Sequence, residues 1–439
     1  MAQQSRTPIV NRNVPARAAA LISFGCLLAV LTCVATAQAQ TFSVLYTLNG
    51  TTSGNYPTNG LISDRQGNLY GTAYGGGIVG CNGVGCGLVF KLSRHGSGWI
   101  YTILYRFAGL TDGANPDAPL AIGPDGSLYG TTFLGGNQSC PFGGCGTVFK
   151  LSPPPNICPT ISCEWRKTTL YEFTGGADGQ YPLGQLTFDR AGSGSLYGTA
   201  SAANVLGQTD GSVFELTHSG GDWTFNLLYA FPGGTSGAPL GGVTFDNQGN
   251  LWGVQTWGGA ENCGDPAIGD ACGSIYKLSP SPSGWTETNV FAFNASIGGG
   301  ATGTLVSDPS GNFYGTLCCN GPAGSGGVFK FVPSTGEFNL IYANPGNPDN
   351  SSGPYGGVVM DPAGNLYAAD NADGPFHCSP YGCGFIFELS PANGYWYFTN
   401  LHNFTGGSDG GVPAGPLALD AEGNVYGGNL DNVIFQITP

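Results

Sequence analysis

The chain has 439 residues with 13 basic against 27 acidic side chains, a formal charge of −14, and it is 41% hydrophobic and 12% aromatic. That much apolar material supports a packed core and argues against disorder. The acidic balance argues against nucleic acid or anionic membrane as a partner and fits cations or neutral glycans.

Residues 1–39 differ in kind from the rest. Arg6, Arg12 and Arg17 precede the apolar run Leu21 to Ala35, which ends in Ala35-Thr36-Ala37-Gln38-Ala39. This order of positive, apolar and small residues predicts a secretory signal peptide that is cleaved, with no membrane anchor left behind. Cleavage removes three arginines and no acid, so residues 40–439 carry 10 basic and 27 acidic side chains, a charge of −17.

From there one short pattern recurs seven times: Gly67–Thr72, Gly126–Thr131, Gly194–Thr199, Gly249–Val254, Gly311–Thr316, Gly364–Ala369 and Gly423–Gly428, at intervals of 59, 68, 55, 62, 53 and 59 residues. Each copy is a turn running into an aromatic strand, and each belongs to a unit of four β-rich runs bounded by Gly, Asn, Asp, Ser or Pro. In the fourth unit the runs are Gly241–Asp246, Gly249–Val254, Gly273–Ser279 and Trp285–Phe293. The links between first and second runs and between third and fourth have hairpin length, so each unit is an antiparallel meander. Repeated radially, such meanders predict an all-β, seven-bladed β-propeller of four-stranded antiparallel blades.

The last unit ends on its third strand, at Ile434–Ile437, whereas an unpaired copy of the fourth-strand pattern, Val44-Leu45-Tyr46-Thr47-Leu48, stands at the start of the propeller segment. The N-terminal strand is therefore expected to complete the last blade and close the ring, leaving no open edge at the join.

Cysteines follow the same rhythm. Cys81/Cys86, Cys140/Cys145, Cys158/Cys163, Cys263/Cys272 and Cys378/Cys383 form close pairs, and Cys318-Cys319 are adjacent. An even number in an exported chain predicts disulfides, and the zinc alternative lacks partnering Cys or His at suitable spacing. Each small loop closed this way adds about 2 kcal/mol, so the bonds are expected to stiffen loops more than to hold the fold.

The repeat grammar G-N-L-Y-G-T, then G-x-V-F-K-L, then L-Y-x-F and D-G, resembles that of GloVer-type tandem repeats in bacterial secreted proteins described as choice-of-anchor. The resemblance runs over residues 41–439 and is close at Gly126–Thr131 with Gly146–Ser152 and at Gly194–Thr199 with Gly211–Thr217. A broader likeness to NHL-type propellers accompanies it. The resemblance implies a surface or extracellular propeller. Members commonly carry a C-terminal anchoring segment, which this sequence does not show, so free secretion or periplasmic residence is expected.

Candidate chemistry is sparse. Asp64, Asp189, Asp246, Asp308, Asp361 and Asp420 recur two or three residues before Gly, where a carboxylate caps its own turn. The Asp-Gly loops at Asp112, Asp178 and Asp409 could offer oxygens to calcium, but without the regular spacing of a calcium loop. His95, His218, His377 and His402 show neither metal nor triad spacing, and Gly75–Gly80 lacks the following helix of a dinucleotide site. No cofactor and no catalytic residue is therefore expected. Aromatic residues in the loops that leave the second strands, Tyr74, Phe133, Trp257 and Phe376, are the candidate ligand-binding set, since flat apolar faces suit sugar rings. The expected role is a monomeric extracellular binding module for a glycan or protein; a carboxylate-dependent lyase or hydrolase and a structural envelope protein are the alternatives.

Overall fold

The computed structural model describes residues 7–9, 40–155, 164–201, 209–232, 237–258, 262–265, 269–345, 353–378 and 381–438. Within them, seven four-stranded antiparallel sheets form a β-propeller. In the first blade the strands are Leu61–Ser63, Leu69–Ala73, Leu88–His95 and Gly98–Arg106, from the centre outward. The other blades repeat this order. In the fourth, Thr244–Phe245, Leu251–Gln255, Ser274–Ser281 and Gly284–Ala292 occupy the same places.

The ring closes as the repeat count requires. Thr41–Thr47 pairs antiparallel with Val433–Thr438, with Phe42 opposite Ile437 and Tyr46 opposite Ile434, and supplies the outer strand of the seventh blade. Phe42 then stacks on His402 of the sixth blade, ring centroids 3.8 Å apart, and packs against Phe404 and Phe435. Residues 7–9 pair with the outer strand of the sixth blade, Tyr395–Asn403.

Blades pack through the alternation in the third strands. Val89, Phe90 and Leu92 are fully buried while Lys91 between them is not, and Val148, Phe149 and Leu151 with Lys150 repeat the arrangement. Period-two alternation puts apolar side chains into the faces between blades and lets the lysine reach outward. Each of these lysines lies over the aromatic ring of its neighbouring second strand: Lys91 over Tyr70, Lys150 over Tyr129, Lys277 over Trp252 and Lys330 over Tyr314, at 5.4 to 5.8 Å.

The recurrent Asp is a turn cap, and it does more than sequence alone indicates. Asp246 Oδ1 accepts from the backbone N–H of Gln248 and Asn250, and Oδ2 accepts from Asn250 Nδ2 and Trp252 Nε1 at 2.7 and 2.9 Å. Asp64, Asp308, Asp361 and Asp420 repeat this, each taking the hydroxyl of the tyrosine six residues on. The cap and the aromatic of the core motif are thus one hydrogen-bonded unit. In the third blade Tyr197 turns instead to Glu215, and Asp189 accepts from the backbone N–H of Ser193 and Gly194 and from the Ser193 side chain within its turn.

Four disulfides are in place: Cys81–Cys86, Cys140–Cys145, Cys378–Cys383 and the adjacent Cys318–Cys319. Cys272 is also disulfide-bonded. Cys158, Cys163 and the side chain of Cys263 lie outside the described residues.

Apart from Cys318–Cys319, which lies within a second strand, these cysteines sit at blade junctions, which revises the expectation that they serve mainly their own loops. The carbonyls of Cys86, Cys145, Cys272 and Cys383 accept the N–H of Asn115, Tyr181, Gly300 and Val412, each at the entry to the following blade, at 2.7 to 3.0 Å. At the closing junction, from seventh blade to first, the side chain of Asn432 takes this role and accepts from Tyr56 N–H at 2.7 Å.

Candidate functional site

The first strands of all seven blades converge on a central channel of about 640 Å³. Its wall comes from one recurring segment, x-Gly-x-Leu or a close relative, which follows a proline in six blades and Ala301 in the fifth, at or just before each first strand. Gly184, Gly241, Gly303, Gly356 and Gly415 occupy the second position of that segment in blades three to seven. They are small because neighbouring blades touch there: a Cβ on Gly303 would stand 2.5 Å from the backbone of Gly356, and one on Gly356 would collide with Gly415. Thr199 Oγ1 of one blade donates to Gly241 O of the next at 2.8 Å, and Thr131 Oγ1 donates to Pro182 O at 3.0 Å, so the Thr of the core motif ties the inner edges together.

Blades one and two break the glycine ring with Asn59 and Ala118, and beside them stands Asp117. The residues equivalent to Asp117 in the other blades are Thr58, Leu183, Leu240, Thr302, Tyr355 and Ala414. Asp117 is the one ionisable carboxylate on the channel wall among the described residues, and no Lys, Arg or His accompanies it there. It is half-buried in the channel wall, and this desolvation pushes its carboxyl up to about 7, moderated by a hydrogen bond from Asn59. Asn59 is itself held by donating from Nδ2 to Pro116 O at 2.8 Å.

Across the channel, Tyr355 also lines the wall and is 41% exposed. Burial, and then the charge of Asp117, raise its phenol above the usual range. Thr302 lines the same lumen, is 4% exposed, and its Oγ1 has no hydrogen-bond partner. Gln185 donates from Nε2 to Leu120 O at 3.2 Å. Leu183, Leu240, Val306 and Val358 complete a mainly apolar wall.

The four aromatics singled out from the sequence are spread around the ring. Trp257 and Phe376 are 38% and 43% exposed, whereas Phe133 is half-buried and stacks on Tyr181 at 4.6 Å. Tyr74 is half-buried; burial and the nearby Asp117 raise its phenol. None of the four lines the channel. Tyr74 alone among them is coupled to its carboxylate.

The Asp-Gly loops use their carboxylates internally. Asp112 accepts from Tyr105 Oη at 2.7 Å and from Lys167 Nζ at 3.0 Å, Asp178 accepts from Tyr171 Oη at 2.9 Å, and Asp409 contacts His402 Nε2 at 3.1 Å. In each blade the partner is the residue that follows the Leu of the fourth-strand pattern. Burial lowers the affinity of His402 for a proton, against the pull of Asp409.

Asp117 does not belong to the recurring acids of the repeat, so the repeat pattern does not mark it. The usable signal was the opposite one, a single carboxylate at a position that six other repeats fill with neutral residues.

A family model for the Gloeobacter/Verrucomicrobia repeat matches residues 33–265 and 190–434. The chain belongs to this family. It is a GloVer-repeat propeller, as the motifs led one to expect. Among curated proteins, none matches the sequence. Among solved structures, a puromycin hydrolase is similar at 10% identity and a TM-score of 0.51, over 87% of this chain and 52% of that one. A carbohydrate-active enzyme of family AA12 from Trichoderma reesei aligns at 12% identity and a TM-score of 0.43, over 91% and 96%. A protein of unknown function from Dyadobacter fermentans aligns at 12% and 0.42, over 91% and 99%. At these identities the likeness concerns the fold alone.

Proposed function

We propose that this GloVer-repeat propeller is an extracellular binding module whose ligand is a glycan, laid across the face that carries the disulfide-held loops. The observation that carries this reading is the exposure of Trp257 and Phe376 on loops that are otherwise pinned to neighbouring blades. Rigid aromatic faces on a fixed backbone bind a sugar ring with little ordering cost. The charge of −17 for residues 40–439 fits a neutral polymer better than an anionic one. Export and cleavage after residue 39 belong to the same reading, which the disulfides support. Among the described residues no helix is long and apolar enough to cross a membrane.

An enzymatic reading would place the chemistry at the channel, where Asp117 has no second acid, base or cation beside it among the described residues. General acid–base hydrolysis of a glycosidic bond uses two carboxyl groups, so binding is favoured. The test is affinity for a panel of bacterial and plant polysaccharides before and after Trp257→Ala and Phe376→Ala. A loss of about tenfold or more for one polysaccharide supports the placement. Unchanged affinity for a polysaccharide that does bind would refute it.

A further inference from the structure

The central channel carries a separate recognition element that the glycan reading does not use. We propose that the channel binds an organic ammonium group, seated between the Asp117 carboxylate and the ring of Tyr355.

Two features of the wall converge on this ligand. The first is an enclosed carboxyl group without a counter-ion. Asp117 accepts a hydrogen bond from neutral Asn59, and no cationic side chain lines the lumen among the described residues. A carboxylate held in a mainly apolar enclosure gains more from a cation than one at the surface, because less water screens the pair. The second is an aromatic face opposite the carboxyl group. Tyr355 lines the lumen and is 41% exposed, and the charge of Asp117 reaches its phenol. An aromatic ring and a carboxylate on opposite walls offer an ammonium group both a cation–π contact and an ion pair.

The repeat pattern points the same way. Five blades place glycine where neighbouring backbones meet around the channel, and the departures from that rule, Asn59 and Ala118, flank Asp117. In a repeat protein a local break in an otherwise uniform ring is where function rather than fold decides the residue. A volume near 640 Å³ admits a drug-sized molecule and excludes a folded chain. The net negative charge of the whole molecule raises the local concentration of cations at the mouth. A single carboxylate is too few ligands for a divalent metal ion, which takes six or more oxygens for calcium.

Organic ammonium groups reach such a channel on amino sugars or on simple amines, and calorimetric titration of the full, disulfide-intact chain separates these. The probes are a β-1,4-linked glucosamine trisaccharide, its fully N-acetylated counterpart and 1,4-diaminobutane. Binding of the glucosamine trisaccharide or of the diamine, without binding of the acetylated sugar to the channel, is the expected result. Which of the two amines binds more tightly identifies the source.

Asp117→Asn is isosteric and neutral and should weaken amine binding by about thirtyfold or more, the usual effect of removing one partner of an enclosed charge pair. Tyr355→Leu should weaken it by about fivefold while Tyr355→Phe leaves it intact, since the ring and not the hydroxyl faces the cation. A melting curve for each variant confirms that the fold is kept. Absence of binding for both amines at millimolar concentration in the unmodified chain would overturn the proposal. So would amine binding that survives Asp117→Asn. Because the diamine carries no sugar, failure here leaves the glycan reading standing, and failure of Trp257→Ala leaves this one.

Discussion

The junction disulfides make a quantitative claim on three glycines. Gly109, Gly175 and Gly406 follow the fourth strands of their blades, with φ of +78°, +74° and +72°. Each lies against the disulfide of its own blade. A Cβ on Gly406 would stand 2.6 Å from Cys378 Sγ, one on Gly109 would stand 2.7 Å from Cys81 Sγ, and one on Gly175 would collide with Cys140 Sγ. Gly406→Ala therefore meets two costs. The left-handed backbone costs a non-glycine residue about 1–2 kcal/mol. Displacing the packed sulfur costs about 1–3 kcal/mol more. Gly126 has nearly the same φ, +75°, with nothing near its would-be Cβ, so Gly126→Ala meets only the first cost. Denaturant midpoints should place Gly406→Ala below Gly126→Ala by about 1–3 kcal/mol. In a Cys378→Ala/Cys383→Ala background, itself about 2 kcal/mol less stable, the excess at Gly406 should vanish. Equal losses for the two glycines, or an excess that persists without the sulfurs, would refute the reasoning.

Two further outcomes follow from buried polar atoms. Tyr276 replaces the phenylalanine found at this place in six third strands, and its buried hydroxyl lacks a partner. Tyr276→Phe should raise stability by about 1–2 kcal/mol in chemical denaturation, and a loss of stability would show that the hydroxyl is satisfied. Asp370 is fully buried, accepts from Asn344 Nδ2 at 2.6 Å, and shares that donor with Asp373 at 2.8 Å. Burial and then the charge of Asp373 raise its carboxyl from 3.8 to about 7. The folded state thus holds a proton that the unfolded chain has released between pH 4 and 7, so stability falls as pH rises through that window. The contribution is on the order of 4 kcal/mol. Asp370→Asn should flatten the dependence by about 3 kcal/mol when unfolding free energies at pH 5 and pH 8 are compared, the part of the window that lies above pH 5. An unchanged slope would assign the effect elsewhere.

Strand order, blade number and closure were legible because propeller packing imposes them seven times over. The turn aspartates, the paired cysteines and the Tyr-Gly-Thr core recur because each meets the same neighbours in every blade. Their partners were not legible. Nothing in Asp246-Asn247-Gln248-Gly249-Asn250-Leu251-Trp252 announces that the indole N–H returns to the carboxylate, since the bond depends on the curl of the hairpin. The junction role of Cys86 and Cys383 was hidden because their partners, Asn115 and Val412, are about 30 residues on, at the start of the next blade. Asp117 was the least visible, since a site made of first strands from seven blades leaves only single residues scattered over the whole chain.

The closing junction differs from the disulfide-held ones in kind. Tyr56 N–H rests there on the amide of Asn432, and Leu48 N–H on the carbonyl of the same residue. The ring thus has a seam made only of hydrogen bonds and packed side chains, and it joins segments at opposite ends of the propeller. A growing chain can stack its early blades one by one, yet the seam can zip only after Val433–Thr438 has been synthesised. Contacts this distant in sequence form late and slowly. The last step of folding and the first step of opening therefore share one address, and amide exchange should be fastest in Thr41–Thr47 among the outer strands.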